Sequence, residues 1–320
     1  MDTGSAGSAG ASKVLVIGGW GRCGSTLLDM MLGQLPGFVS AGEIRELWLR
    51  GRVEDRPCGC GASFHACPFW TKVGDEAYGG WDRLDIDRVL RVRYRVDRPW
   101  GAPRLHRAVR PERRPEDIAF YADTLSRLYR AIRSVTGASV VIDSSKLPTH
   151  TMMLRCVPDL DVRLLHLVRD SRGVAYSNQK VVLKDVTSGE PTLLPINGAL
   201  AASVRYTLYN GLTASLSRSG MPYLRMRYED LIRSPERHLR VVLAFAGEPA
   251  DVDFPFLGGG AATLGENHLV DGNPVRFTKG SLALKVDDEW RSRLPAADRR
   301  VVTSLTLPML FAYGYPIRPR

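Results

Sequence analysis

The chain has 320 residues, enough for one large α/β domain or two small ones with a substantial core. With 24% charged and 44% hydrophobic residues, wholesale disorder, a collagen-like repeat and a coiled coil are excluded. No apolar run reaches the roughly 18 residues of a membrane-spanning helix, and the net charge of +10 points to anionic partners: nucleic acid, a membrane surface, or phosphate- and sulfate-bearing small molecules.

Residues 1–12 are rich in Gly, Ser and Ala and lack a basic start and a long apolar stretch, so they read as a flexible tail and not as a signal peptide; the expected location is cytoplasmic. Residues 13–17 (KVLVI) form a short apolar run that ends in glycines, which predicts a buried strand. Residues 25–35 carry Leu27, Leu28, Met31, Leu32 and Leu35 at helical spacing, so strand, Gly-rich turn and helix open a βαβ unit. A helix is expected over 116–135, with Ile118, Leu125, Leu128 and Ile132 on one face. Further strands are expected at 139–142, 162–168 and 222–226, with helices following at 173–180 and 235–245. This alternation implies an α/β fold: a mostly parallel sheet covered on both faces. Residues 50–115, 181–198 and 251–285 interrupt the rhythm and read as long irregular segments of the kind that serve as lids or binding loops. The expected organisation is the tail followed by a single domain over 13–320, with a Cys- and Arg-rich, lid-like insertion at about 50–115.

Gly18 to Thr26 (GGWGRCGST) joins the first strand to the first helix, where outward backbone N–H groups and the helix dipole favour an anion. Gly19 and Gly24 have the spacing of a nucleotide triphosphatase loop and Thr26 stands at its hydroxyl position, but Ser25 replaces the lysine. Such a loop can hold a phosphate while lacking the charge that ordinary ATP or GTP chemistry requires. Arg22 offers a cation nearby, and a Gly-rich turn without a ligand is the alternative. Arg169 leaves the end of a predicted parallel strand, where such sheets bind ligands, and its fork suits a phosphate monoester. On its own, an Arg-Asp pair in that place also fits a structural ion pair.

GRCGSTLL resembles the 5′-phosphosulfate loop of the sulfotransferases that use 3′-phosphoadenosine 5′-phosphosulfate (PAPS), in which a Lys or Arg precedes a small residue, Gly and two hydroxyl residues. Residues 165–177 (LHLVRDSRGVAYS) resemble the same family's 3′-phosphate motif, with Arg169 and Ser177 at the matching spacing. Residues 268–280 (HLVDGNPVRFTKG) resemble, more loosely, a loop that closes over the donor in many members. The resemblance spans about residues 13–45, 139–180 and 204–290. It implies a three-layer α/β/α sulfotransferase fold of the P-loop nucleotide-hydrolase type. It also implies PAPS as co-substrate, PAP (its desulfated product) as product, and no metal in the reaction. Arg22, Cys23, Gly24, Ser25, Thr26, Arg169, Ser177, Arg276, Lys279 and Gly280 would hold the donor. Glu43 would be the general base, as in the tyrosyl-protein and heparan types, with Glu46 as its rival. Lys146, which precedes Pro148 by two residues as in the tyrosyl-protein type, would stabilise the leaving group together with Arg22. Arg45, Glu46 and His268 are candidates for contact with the acceptor.

Sulfuryl transfer needs a held donor, in-line approach of an acceptor oxygen, removal of its proton, and stabilisation of charge on the departing oxygen. His166 lies in an apolar strand and reads as a core residue, and His150 has no matching context. Cys58, Cys60 and Cys67 with His65 offer zinc-ligand types, but the spacing C-x-C-x6-C is not a pair of knuckles. They read as free thiols or one disulfide, and a reducing cytoplasm disfavours the disulfide. The nine arginines from Arg91 to Arg114 lack the interleaved aromatics of a nucleic-acid patch. They fit either a solvated insertion or a lid for an anionic or sugar-bearing acceptor. The acceptor expected overall is a hydroxyl of a small molecule, secondary metabolite, sugar or glycolipid. The oligomeric state stays open, since the C-terminal dimerisation motif of simple cytosolic members is not visible. The competing readings are a kinase-like P-loop phosphotransferase, against which Ser25 argues, and a non-catalytic nucleotide-binding module, against which Glu43 and Lys146 argue.

Overall fold

A computed structural model describes residues 11–180, 183–185, 192–193 and 196–317. Most of the predicted tail and of the 181–198 loop therefore lies outside the described residues. The central sheet is built from β1 (Ser12–Gly18), β2 (Phe38–Ser40), β3 (Val140–Lys146), β4 (Leu160–Val168) and, after a short hairpin of β5 (Leu183–Asp185) and β6 (Thr192–Leu193), β7 (Tyr223–Arg227). The strand order is β2-β3-β1-β4-β7 and every pairing is parallel.

The alternation of side chains along a strand explains why these runs are apolar throughout. On β1, Val14 and Val16 enter one core while Leu15 and Ile17 enter the other. Val141 on β3 joins the first core, and its neighbours Val140 and Ile142 join the second. The helix Glu116–Thr136 buries Ile118, Leu125, Leu128 and Ile132 against the first face, as its spacing predicts. Helix α1 (Ser25–Leu32) and the helix Pro235–Ala246 cover the second. The fold is therefore α/β, with helices on both sides of a parallel sheet.

The segment 50–115 is not irregular. It contains the helices Pro68–Tyr78, Ile86–Val96 and Ala102–Ala108, and Phe64, Trp70, Trp81, Val89 and Val92 belong to the first core. Val89, Val92 and Val96 form a narrow buried stripe on a helix whose other positions are mostly charged, and the arginines obscure that stripe in the sequence. Asp85 caps this helix, its side chain accepting from the Arg88 N–H at 2.9 Å. The Gly- and Pro-rich stretch 251–285 contains a small antiparallel sheet of β8 (Leu257–Gly258), β9 (Ala261–Leu264) and β10 (Gly280–Ala283).

Behind the first loop, the Asp29 carboxyl is fully buried and accepts one hydrogen bond from Ser144 Oγ at 2.7 Å. Burial pushes its pKa up from 3.8 to about 7, and the Ser144 hydroxyl only partly opposes this. Because the native pKa is raised above the unfolded value, stability is full below about pH 4. It falls as pH rises through about 7, where the native state must ionise a desolvated acid. Asp29→Asn stays neutral and should flatten this slope. Thermal melts between about pH 4 and pH 8 check it, and an unchanged slope would reject the assignment.

Candidate active site

The carboxyl ends of β1, β3, β4 and β7 converge on a cavity of about 350 Å³ lined by Arg22, Gly24, Ser25, Thr26, Glu43, Lys146, Arg169, Ser177 and Tyr228, among others. This is the end of a parallel sheet where ligands bind. Eight residues proposed from widely separated motifs thus line one space. Cys23 is buried beneath the loop instead.

Local backbone geometry explains the loop. Gly24 precedes α1 with φ at 93°, and a Cβ there would lie 2.4 Å from the Tyr228 ring, so only glycine fits. The N–H groups of the first turn of α1, at Ser25, Thr26 and Leu27, begin the helix without intrahelical partners. Arg22, Lys146 and Asp271 all line the cavity and all have positive φ, at 68°, 66° and 54°. Left-handed backbone at such residues costs about 1–2 kcal/mol each, and strain of this kind gathers where side chains must be aimed.

The cations are crowded. Arg169 Nη1 donates to the Arg22 carbonyl at 3.0 Å, and its Nη2 donates to Asp287 Oδ2 at 2.9 Å. Arg22 Nη2 is buried with no hydrogen-bond partner among the described residues. Burial first, and the neighbouring Arg169 second, lower the pKa of Arg22. An unpartnered guanidinium nitrogen beside a second guanidinium and a helix amino end is a donor set that an anion completes.

Lys146 Nζ donates to the Glu43 carboxylate and to the Ser144 carbonyl, the latter at 3.1 Å. Glu43 sits in the tight turn after Gly42, its N–H donating to the Val270 carbonyl at 2.8 Å. Burial raises the Glu43 pKa, the Lys146 ammonium partly opposes the rise, and Asp271 adds to it. Lys146 is held above its ordinary value: burial acts to lower it, but the Glu43 carboxylate, with Cys23 and Asp271, more than offsets burial. A carboxyl raised in this way and a paired cation at one cavity wall can move a proton and answer developing negative charge.

Several candidates fall elsewhere. Arg276 is buried, with Nη1 donating to the Gly272 carbonyl at 3.0 Å and Nη2 directed at the Pro57 carbonyl at 3.5 Å, so it braces the loop and does not line the cavity. Lys279 pairs with Glu266 at 3.2 Å on the surface, and Gly280 opens β10. Arg45 bonds Asp97 at 2.8 Å and also Glu46, which in turn bonds Arg93 at 2.9 Å; of these, Arg45, Arg93 and Asp97 line a second cavity. His268 Nδ1 faces Cys58 and Cys67. His166 is the core residue expected, between Tyr223 and Asn210, and burial lowers its pKa to about 4.

Tyr228, Asp271, Gly272 and Asn273 were not among the residues expected at the site. Tyr228 directly follows a strand's carboxyl end, which is a usable signal. The closing loop was identified, but its inward residues precede Arg276: Asn273 N–H donates to Thr26 Oγ1 at 3.3 Å, so the loop closes directly onto the first helix.

A family model described as "Sulfotransferase family" matches residues 15–252. The chain belongs to the sulfotransferase family and is a transferase. No curated protein matches it. Among solved structures it is similar to the sulfotransferase domain from the curacin biosynthetic pathway, at 16% identity and a TM-score of 0.50, over 97% of this chain and 99% of that one. It also matches the sulfotransferase domain of the Synechococcus PCC 7002 olefin synthase, at 21% identity and a TM-score of 0.48, over 97% and 98% of the two chains. Among the described residues, no helix is long and apolar enough to cross a membrane.

Proposed function

We propose that the protein transfers the sulfuryl group of PAPS to a hydroxyl of a small-molecule, sugar or lipid acceptor. The observation that carries this reading is the convergence of Arg22, Arg169 and Ser177 with the Glu43–Lys146 pair on one cavity. Arg22, the first turn of α1, Ser25 and Thr26 would hold the 5′-phosphosulfate, while Arg169 and Ser177 would hold the 3′-phosphate, with Arg169 released from Asp287. PAPS when bound supplies the sulfuryl group. Glu43 takes the acceptor's proton as its oxygen bonds to sulfur. Lys146 and Arg22 stabilise the bridging oxygen as the bond between it and sulfur breaks and PAP departs. Positioning and electrostatics supply most of the effect in such transfers, and this scheme needs no metal.

The second cavity, about 680 Å³, adjoins this wall through Leu147 and is lined by Arg45, Tyr94, Arg98, Trp100 and Tyr209, among others. Arg98 lies 4.4 Å from the Tyr94 ring centre and 5.5 Å from that of Trp100. Aromatic walls with guanidinium groups suit a hydroxylated acceptor with an apolar body and an anionic group.

Calorimetry tests the donor site. PAP should bind far more tightly than ATP, because Ser25 stands in place of the loop lysine. Arg169→Ala should remove roughly ten- to a hundred-fold of the preference for PAP over AMP, the worth of a charge-assisted bidentate contact of about 1.5–3 kcal/mol. ATP binding as tightly as PAP would overturn the reading. Sulfur-labelled PAPS offered with a panel of hydroxyl compounds then identifies the acceptor.

A further inference from the structure

Outside this cavity, one cluster of side chains has no role in the transfer. Cys58 and Cys60 lie on a tight turn in which the Gly61 N–H donates to the Cys58 carbonyl at 2.8 Å. Cys67 immediately precedes the helix Pro68–Tyr78. The fourth member, His268, comes from a loop about two hundred residues further along the chain. Cys67 Sγ lies 3.7 Å from Cys58 Sγ, 3.8 Å from Cys60 Sγ and 3.4 Å from His268 Nδ1, and Cys58 Sγ lies 3.7 Å from the same nitrogen. All four donor atoms fall within 4.8 Å of one another.

These separations match the edges of a tetrahedron around one ion. Zinc–sulfur bonds of about 2.3 Å and a zinc–nitrogen bond of about 2.0 Å, at tetrahedral angles, put sulfurs about 3.8 Å apart and sulfur about 3.5 Å from nitrogen. A disulfide would need sulfurs about 2.05 Å apart, and all five cysteines are free. The surroundings also orient the donors. The backbone N–H groups of Cys60, Ala62 and Trp70 are hydrogen-bonded to the sulfurs of Cys58, Cys60 and Cys67. The His268 ring is stacked on Phe69 at 4.8 Å and 12°, and Trp70 Nε1 donates to the His268 carbonyl at 3.0 Å. Such outer contacts set ring orientation and ligand geometry at metal sites.

We propose that Cys58, Cys60, Cys67 and His268 bind one zinc ion, which clamps the loop carrying His268 onto the turn carrying Cys58 and Cys60. Three thiolates and one imidazole close the coordination sphere, so the ion is structural and takes no part in sulfuryl transfer. His65, which lies among the cysteines in the sequence, is not part of the set: its Nε2 lies 3.0 Å from the Arg52 carbonyl, and the residue is exposed. The clamp bears on the anion cavity, because Asp271, Gly272 and Asn273, which line it, follow His268 by three to five residues. The same two segments are joined by the Gly59 N–H, which donates to the Leu269 carbonyl at 3.1 Å. The metal assignment rests on the four donors alone and stands apart from the choice of sulfuryl donor.

Metal analysis of the full chain, purified without chelator, should find about one zinc per chain. Cobalt put in its place should give thiolate-to-cobalt charge-transfer absorption and the intense visible bands of a tetrahedral site. Cys60→Ser and His268→Ala should each lose the metal and those bands, whereas His65→Ala should keep both. Folded wild-type protein, judged by circular dichroism, that takes up neither zinc nor cobalt would overturn the proposal. So would full metal uptake with unchanged cobalt bands in His268→Ala. If the variants fail to fold, the wild-type zinc content and cobalt spectrum still decide the matter.

Discussion

Glu43→Gln is expected to lower turnover by roughly 10²–10⁴ while leaving PAP affinity nearly unchanged. Glutamine keeps the size and hydrogen-bonding capacity of the side chain but cannot take a proton. Steady-state turnover with an alcohol acceptor and calorimetry with PAP measure the two quantities separately. An alcohol is the demanding test, since a phenol ionises more readily and depends less on a base. The wild-type pH profile should carry the same signature. Burial raises the Glu43 pKa, and the base works only when ionised, so the acid limb of kcat should lie above the ordinary carboxylate range. Near-normal turnover in Glu43→Gln would sink the assignment. Glu46 or His268 would then be next to test, although the Glu46 carboxylate is engaged by Arg45 and Arg93.

Lys146→Ala should lower turnover by roughly 10²–10³, the scale found when one donor to a developing oxyanion is removed. Unlike the glutamate variant, it should also weaken donor binding, because its charge faces the anion cavity before any bond changes. Its effect on pH dependence separates it from a merely structural lysine. The Lys146 ammonium partly offsets the burial of Glu43, so its loss should move the remaining acid limb to still higher pH. An acid limb that stays in place, or moves down, would show that the two groups are not coupled as the geometry requires.

The parts of the site that could be read in the sequence sit at junctions with strong local rules. Gly24, Ser25 and Thr26 follow a strand and open a helix, and Arg169 leaves a parallel strand with Ser177 one helix face later. Local chain geometry alone brings these to the carboxyl edge of the sheet. The closing loop could be found but not oriented. Arg276 has the right charge for a phosphate, yet its guanidinium turns inward to the Gly272 and Pro57 carbonyls, and the backbone from Asp271 to Asn273 takes the cavity face. The segment 50–115 reads as irregular in the sequence because its apolar stripe is narrow: Val89, Val92 and Val96 are outnumbered on their helix by charged residues, one of which, Arg93, is itself buried.

The α/β alternation, the Gly-rich loop without a lysine, Arg169 at a strand end and the resemblance that gives Glu43 and Lys146 their expected roles are all legible in the chain itself. Each depends on periodicity, on charge, or on a spacing within a few residues. That Lys146 is bonded to Glu43, that Arg22 and Arg169 crowd one another, and that His268 joins the three cysteines while His65 does not are outcomes of the folded chain. Those contacts join residues a hundred to two hundred positions apart. Their partners are selected by how the strands are ordered and where the loops cross, and no local pattern in the chain records that choice.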